Sequence, residues 1–274
     1  MSEYQYYEWL AIDRPLTERE QAEVDKLSSH IEVSPTGAWV DYNWGDFKHN
    51  PRQVLVKYFD AYLYMANWGS RELMFRFPQA LVDRRQLDLY SLDDAVELET
   101  AGEYVILTIT LGNEEGAEDW MEAGGWLSGL APLRNDLLLG DMRGLYLAWL
   151  ANIERVWTDE GEPEPPVPAG LSKLTAPLNR LVTFLEIDKH LLKAAAAASA
   201  EPQATPDHVL RDAIARLPRS ECDDLLWRLA QGELNLGSKL LRRLHEQIGA
   251  PAAASQPRRT IGAVSYTHLT LPTN

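Results

Sequence analysis

Apolar and polar positions alternate along most of the first 110 residues and recur every third or fourth position after about residue 170. That change of period predicts a sheet-rich first part and a helical second part. In YQYYEWLAID (4–13), Tyr4, Tyr6, Leu10 and Ile12 share one face and Tyr7, Trp9 and Ala11 the other. A strand covered on both sides has this pattern. Thr17-Glu-Arg-Glu20 fits a capping box, so a helix is expected over about 18–29. Residues 38–44 (AWVDYNW) again have strand periodicity. Asn50-Pro51 reads as the N-cap and first residue of a second helix. Val54, Leu55, Tyr58, Phe59, Tyr62, Leu63 and Ala66 form its apolar stripe, and Gly69 is placed to end it. Residues 71–77 make another strand, stopped by Pro78, followed by a short helix. Residues 96–100 and 103–111 make a hairpin turning at Ala101-Gly102.

These elements predict an α+β fold. An N-terminal α/β-layer domain with a mixed sheet, for which a ferredoxin-like arrangement is one model, is followed by an α-helical domain. Gly124-Gly125 and Pro132 mark a loop-rich stretch, and 141–157 is helical in pattern. The run DEGEPEPPVPAG (159–170) reads as a stiff linker, because each proline fixes its own φ and removes a donor. The aromatic-rich domain is therefore expected over 1–158, the linker over 159–170 and a helical domain over 171–250. Within the helical part, Asp188 is positioned to cap 190–199, Thr205-Pro206-Asp207 opens a helix ending near Pro218, and Ser220 caps 221–231. Leu236, Leu240, Leu241, Leu244 and Ile248 mark the last helix of a bundle. A polar segment, 251–263, and an uncharged stretch, 264–274 (VSYTHLTLPTN), follow.

Composition narrows the function classes. The chain of 274 residues carries a formal charge of −15, which argues against nucleic acid as a partner. No Lys or Arg occurs between Gln86 and Leu133, while the 88–122 stretch is rich in Asp and Glu. That region is a solvated face or a docking surface for a basic partner. No apolar run has the ~18 residues of a membrane-spanning helix, and the N-terminus lacks the pattern of a signal peptide. The single cysteine, Cys222, fits a reducing compartment, so a cytoplasmic location without membrane association is expected.

The motifs of nucleotide-binding loops, zinc proteases, serine hydrolases and CxxC sites are absent. The six histidines are scattered, which predicts neither metal nor cofactor. Cys222 lies among Glu221, Asp223 and Asp224, whose charge disfavours a thiolate. The sharpest catalytic candidates are Asp41, Asp46 and His49 in DYNWGDFKH (41–49), a loop joining a strand to a helix. The alternative is that Tyr42, Trp44 and Phe47 anchor that loop and Asp46 bonds its turn. Fifteen of the 25 aromatic residues precede Pro78. They provide either an aromatic surface for a protein partner or extra core.

The segments EYQYYEWLAIDRPLTEREQAE, DYNWGDFK, YLYMANWGSRELMFRFP and APLNRLVTFLEIDKHLLKAAAAAS resemble a family of uncharacterised bacterial proteins. The resemblance covers much of the chain and implies bacterial origin, but it carries no assigned activity. Back-translated from Ala263, residues 264–274 resemble a transposon-end adapter of sequencing libraries read in one frame. This implies that the stretch is foreign and that the natural chain is longer. The sequence thus leads to a protein-interaction or scaffold module, with an enzyme or small-ligand module built around Asp41, Asp46 and His49 as the alternative.

Overall fold

The computed structural model describes residues 3–112, 124–153, 155, 159–202, 206–248 and 259–267. It is an α+β protein in which a sheet-rich N-terminal part precedes a helical one. The first part runs β1 (Gln5–Leu10), α1 (Glu18–Asp25), β2 (Glu32–Ser34), β3 (Gly37–Tyr42), α2 (Pro51–Tyr58), β4 (Ala61–Ala66), β5 (Arg71–Pro78), α3 (Arg84–Asp88), β6 (Val96–Ala101) and β7 (Tyr104–Leu111). The capping box at α1 is formed: the Thr17 hydroxyl accepts from the Glu20 N–H and the Glu20 carboxylate accepts from the Thr17 N–H. Asn50 caps α2, with Pro51 at its first position.

The seven strands form one sheet in the order β2-β3-β1-β4-β5-β7-β6, and every pairing is antiparallel. Within the expected α+β class, the mixed sheet is therefore corrected to an antiparallel one. Strands β3 and β4 both run antiparallel to β1, so β3–α2–β4 is a βαβ crossover with β1 inserted. A ferredoxin-like fold needs two such interleaved units; here the remaining strands continue as neighbours beyond β4 instead. Gly37 makes the β1–β3 pairing close, since a Cβ there would lie 2.7 Å from the Trp9 carbonyl oxygen.

The second helix is shorter than its apolar stripe suggests. It ends at Phe59, whose extended backbone (φ −126°, ψ 172°) carries Tyr62, Leu63 and Ala66 into β4. A strand buried on both faces is apolar at nearly every position, so a helical stripe can be traced through it. Asp60 stabilises the break. Its carboxylate accepts from the N–H groups of Ile12 (2.7 Å) and Asp13 (2.9 Å) and from Arg76 (2.8 Å). The hairpin turns at Gly102-Glu103, one residue later than expected, because Gly102 takes the left-handed conformation (φ 61°) that the two-residue turn requires.

Helices α4 (Trp126–Leu130), α5 (Pro132–Leu138), α6 (Arg143–Asn152), α7 (Ala176–Phe184) and α8 (Lys189–Ala198) follow. Asp188 caps α8 as expected, accepting from the N–H groups of His190 and Leu191. Then come α9 (Asp207–Ala215), α10 (Arg219–Ala230), α11 (Leu236–Ile248) and α12 (Ile261–Thr267). The N-cap of α10 is Pro218 rather than Ser220, which lies inside the helix.

Each face of the sheet has its own apolar core. On the first face, Trp9, Val40, Leu55, Phe59 and Tyr62 pack beneath α1 and α2. On the second, Leu63, Phe75 and Leu107 pack with Leu130, Leu145, Leu181, Phe184 and Leu191 from α4 and α6–α8. This second core includes residues on both sides of the 159–170 run. That run is anchored by Glu164, which accepts from the Tyr146 hydroxyl (2.6 Å) and pairs with Arg259 (2.7 Å). Val264, the first residue of the 264–274 stretch, is buried in the same core on α12; residues 268–274 lie outside the described residues, as do 113–123 of the acidic region and 251–258.

A buried ionic network clamps the centre. Arg134 of α5 pairs bidentately with Asp13 (2.8 and 2.9 Å), donates to the Arg76 carbonyl and lies 3.8 Å from Asp60. Buried charges persist only when paired and hydrogen-bonded, and this set ties β1, β4, β5 and α5 together. A second clamp joins Arg71 of β5 to Glu186 and the Phe184 carbonyl at the end of α7.

Candidate functional site

The loop after β3 is turned by Gly45 (φ 84°) and held by Gln5, whose side-chain amide donates to the Gly45 carbonyl (3.0 Å) and the Asp46 carboxylate (2.7 Å). The hydroxyls of Tyr7 and Tyr64 both donate to the Gln5 side-chain oxygen. Phe47 is buried against Tyr7 and Trp9. Asp46 and His49 are exposed; His49 rests edge-on against Phe47. Asp41 is directly opposite Tyr6 on the second face of the sheet, whereas Asp46 meets Gln5 and Tyr7 on the first. The sheet itself separates the two carboxylates, so Asp41, Asp46 and His49 do not converge on one space.

Two carboxyl groups outside that loop are perturbed. Glu72 on β5 faces the first side and is pushed up to about 7, chiefly by burial; Arg52 opposes the rise and Glu97 adds to it. Glu8 on β1 is buried on the second face, and burial raises it as well. The Leu127 N–H, the Tyr6 hydroxyl and Arg180 act in the opposite direction. Both acids sit singly within strands that are otherwise largely apolar, in QYYEWL and RELMFRFP. An acid at a position that the period assigns to a covered face was the available signal.

Around Glu8 the second face opens as a shallow groove of about 240 Å³, lined by Leu10, Glu32, Ser34, Gly37 and Trp39 among others. Trp39 stacks on Tyr6 with ring centres 6.1 Å apart. Tyr4 is pushed up to about 12 by burial and by hydrogen bonding and charge from Asp41. Of the fifteen early aromatics, nine are buried, including Trp9, Phe59 and Phe75; Trp39, Trp44 and Trp68 are exposed. Most of the set is core, with an exposed remainder.

The other exposed feature is α10. None of its residues is buried, although its LLWRLA run is apolar at every position but Arg228. Leu226, Trp227 and Leu229 stand 62%, 65% and 63% exposed, with Ile214 and Leu234 exposed on the flanking segments. The apolar positions wrap too wide an arc to be buried by one neighbouring pair of helices. Cys222 on the same helix is a half-buried free thiol.

Among the described residues, no group of three or more His, Cys, Asp and Glu side chains is placed to hold a metal, and no helix is long and apolar enough to cross a membrane. No family model matches the chain, and comparison with curated proteins and with solved structures gave no significant match.

Proposed function

We propose that the protein is a cytoplasmic protein-interaction module of bacterial origin that docks a partner through the exposed face of α10. The observation that carries this reading is the cluster Leu226, Trp227 and Leu229, three large apolar side chains each more than three-fifths exposed. Contiguous apolar surface of this kind is characteristic of binding sites, and Trp is enriched among the residues that dominate binding energy. Asp223 and Asp224, exposed one turn before Leu226 and Trp227, pair with Arg219 and Arg228 of the same helix, so the patch is bordered by ion pairs. The net charge of −15 favours a partner with a basic rim around an apolar centre. A single cysteine supports the cytoplasmic assignment.

Affinity capture from a bacterial lysate, using the wild type and the triple variant Leu226→Glu/Trp227→Glu/Leu229→Glu, tests the proposal. A partner retained by the wild type and lost by an equally folded variant is expected. Equal capture by both, or none above a bead control, would refute the role of this face. Light scattering run alongside identifies the case in which the partner is a second copy.

A further inference from the structure

Glu32, Trp39 and Glu8 stand side by side across β2, β3 and β1. Glu32 is directly opposite Trp39, and Trp39 is directly opposite Glu8. Directly opposed residues on antiparallel strands share a face, with Cβ atoms about 4.5–5.5 Å apart, so one indole is flanked by two carboxylates. One of them, Glu8, is buried where it lines the groove, its carboxylate accepting from the Leu127 N–H (3.2 Å) and the Tyr6 hydroxyl, and the other, Glu32, is exposed at the edge. The indole stacks against its same-face neighbour Tyr6 and remains 37% exposed. Asp41, opposite Tyr6, adds a third carboxylate one step along the same face.

Elsewhere the chain supplies its own cations to aromatic rings. Arg71 lies over Phe184, Arg76 over Tyr104, Arg134 over Phe77 and Arg180 over Trp126. Among the described residues no Lys or Arg lies over Trp39, and none lines the groove. Arg180, the cation that acts on Glu8, has its guanidinium centred 4.5 Å from the Trp126 ring and donates to the Gly125 carbonyl. An exposed indole between two carboxylates, with no cation of its own, has the chemistry of a receptor for a cation brought from outside.

We propose that this groove binds an organic cation, an ammonium or guanidinium group on a short alkyl arm, seated on the Trp39 indole between Glu8 and Glu32. The groove, at about 240 Å³, accommodates one such arm and not a drug-sized molecule. Leu10 lines the side along which the alkyl arm lies, and Ser34 offers a hydroxyl at the rim. The site lies on the sheet, apart from α10, and does not depend on the interaction proposed there. The cation comes either from a free amine or from a lysine or arginine side chain of another protein.

Isothermal titration, combined with the indole N–H resonance of Trp39 assigned by its loss in Trp39→Phe, tests the site. The probes are n-butylammonium chloride, a lysine tripeptide blocked at both ends, and n-butanol as the neutral control. Saturable binding of at least one cation is expected, with a shift of the Trp39 resonance and no binding of butanol. Tighter binding of the tripeptide identifies a protein side chain as the source; tighter binding of butylammonium identifies a free amine. Glu32→Gln, an exposed change that leaves the fold intact, should weaken binding about fivefold, and Trp39→Leu about tenfold or more. The proposal is overturned if neither cation shifts the Trp39 resonance beyond sodium chloride of equal ionic strength, if butanol binds equally, or if folded Glu32→Gln and Trp39→Leu variants bind like the wild type.

Discussion

The sheet and the α9–α11 helices use apolar residues in opposite ways. In the sheet, Trp9, Leu63 and Leu73 are fully buried, and each face carries an apolar core. In α9–α11 the buried apolar residues, among those described, are Ala213, Leu217, Leu236 and Leu244, while Trp227 stands largely in solvent. The two regions differ in whether a second layer exists to receive the apolar face. A sheet between two layers of helices buries alternate residues on both sides; three short helices packed on one another leave an outer face uncovered. Stability is therefore concentrated in the first region and exposed apolar surface in the second.

The largest effect expected from breaking this contrast is in the sheet core. Phe75→Ala should cost about 3–5 kcal/mol in chemical denaturation, because the cavity lies between the sheet and the covering helices. Arg134→Met should follow closely, at about 3–4 kcal/mol, since it leaves the Asp13 carboxylate without its bidentate partner while Asp60 keeps Arg76; a loss below 1 kcal/mol would mean that water replaces the guanidinium.

A pH-dependent effect of about 2 kcal/mol is expected at Glu72. Its carboxyl takes up a proton more readily in the folded state, where it is pushed up to about 7, than in the unfolded chain near 4.5. The stability it supports is therefore complete below about 4.5 and is lost as the pH rises through about 7. Glu72→Gln should be more stable than the wild type at pH 8 and close to it at pH 5, measured by urea unfolding at both values. The smallest effect belongs to Trp227→Ser, which should stay within about 0.5 kcal/mol of the wild type despite removing a large apolar side chain. A substantial loss there would show that the face is covered in solution. Hydrogen exchange sharpens the same comparison: amides of α9–α11 should exchange through smaller openings than those of β4 and β5.

Local chemistry was legible where a few neighbouring residues settle the structure. Thr17 and Glu20 close their capping box, Asn50-Pro51 starts α2, and Asp188 caps α8, because each depends on groups within one turn. The route of 59–66 was not legible. Tyr58, Phe59, Tyr62 and Leu63 satisfy one helical stripe, but only Tyr58 lies in α2; the place of Tyr62 and Leu63 in a strand follows from β1 and β5 on either side. The candidate site divided in the same way. Asp41, Asp46 and His49 are near in sequence, but the pleat places Asp41 beside Tyr6 on the second face while the turn at Gly45 brings Asp46 to Gln5 on the first. Glu8, Trp39 and Glu32 are far apart in sequence and become neighbours only by strand register.

The sequence by itself determined the α+β class, the order of most elements and their caps, since period and capping act over a few residues. Tertiary structure alone decided the antiparallel strand order, the Asp13–Arg134–Asp60 clamp and the carboxylate-flanked indole. Each joins residues whose meeting depends on how distant segments pack, and a local pattern carries no information about that.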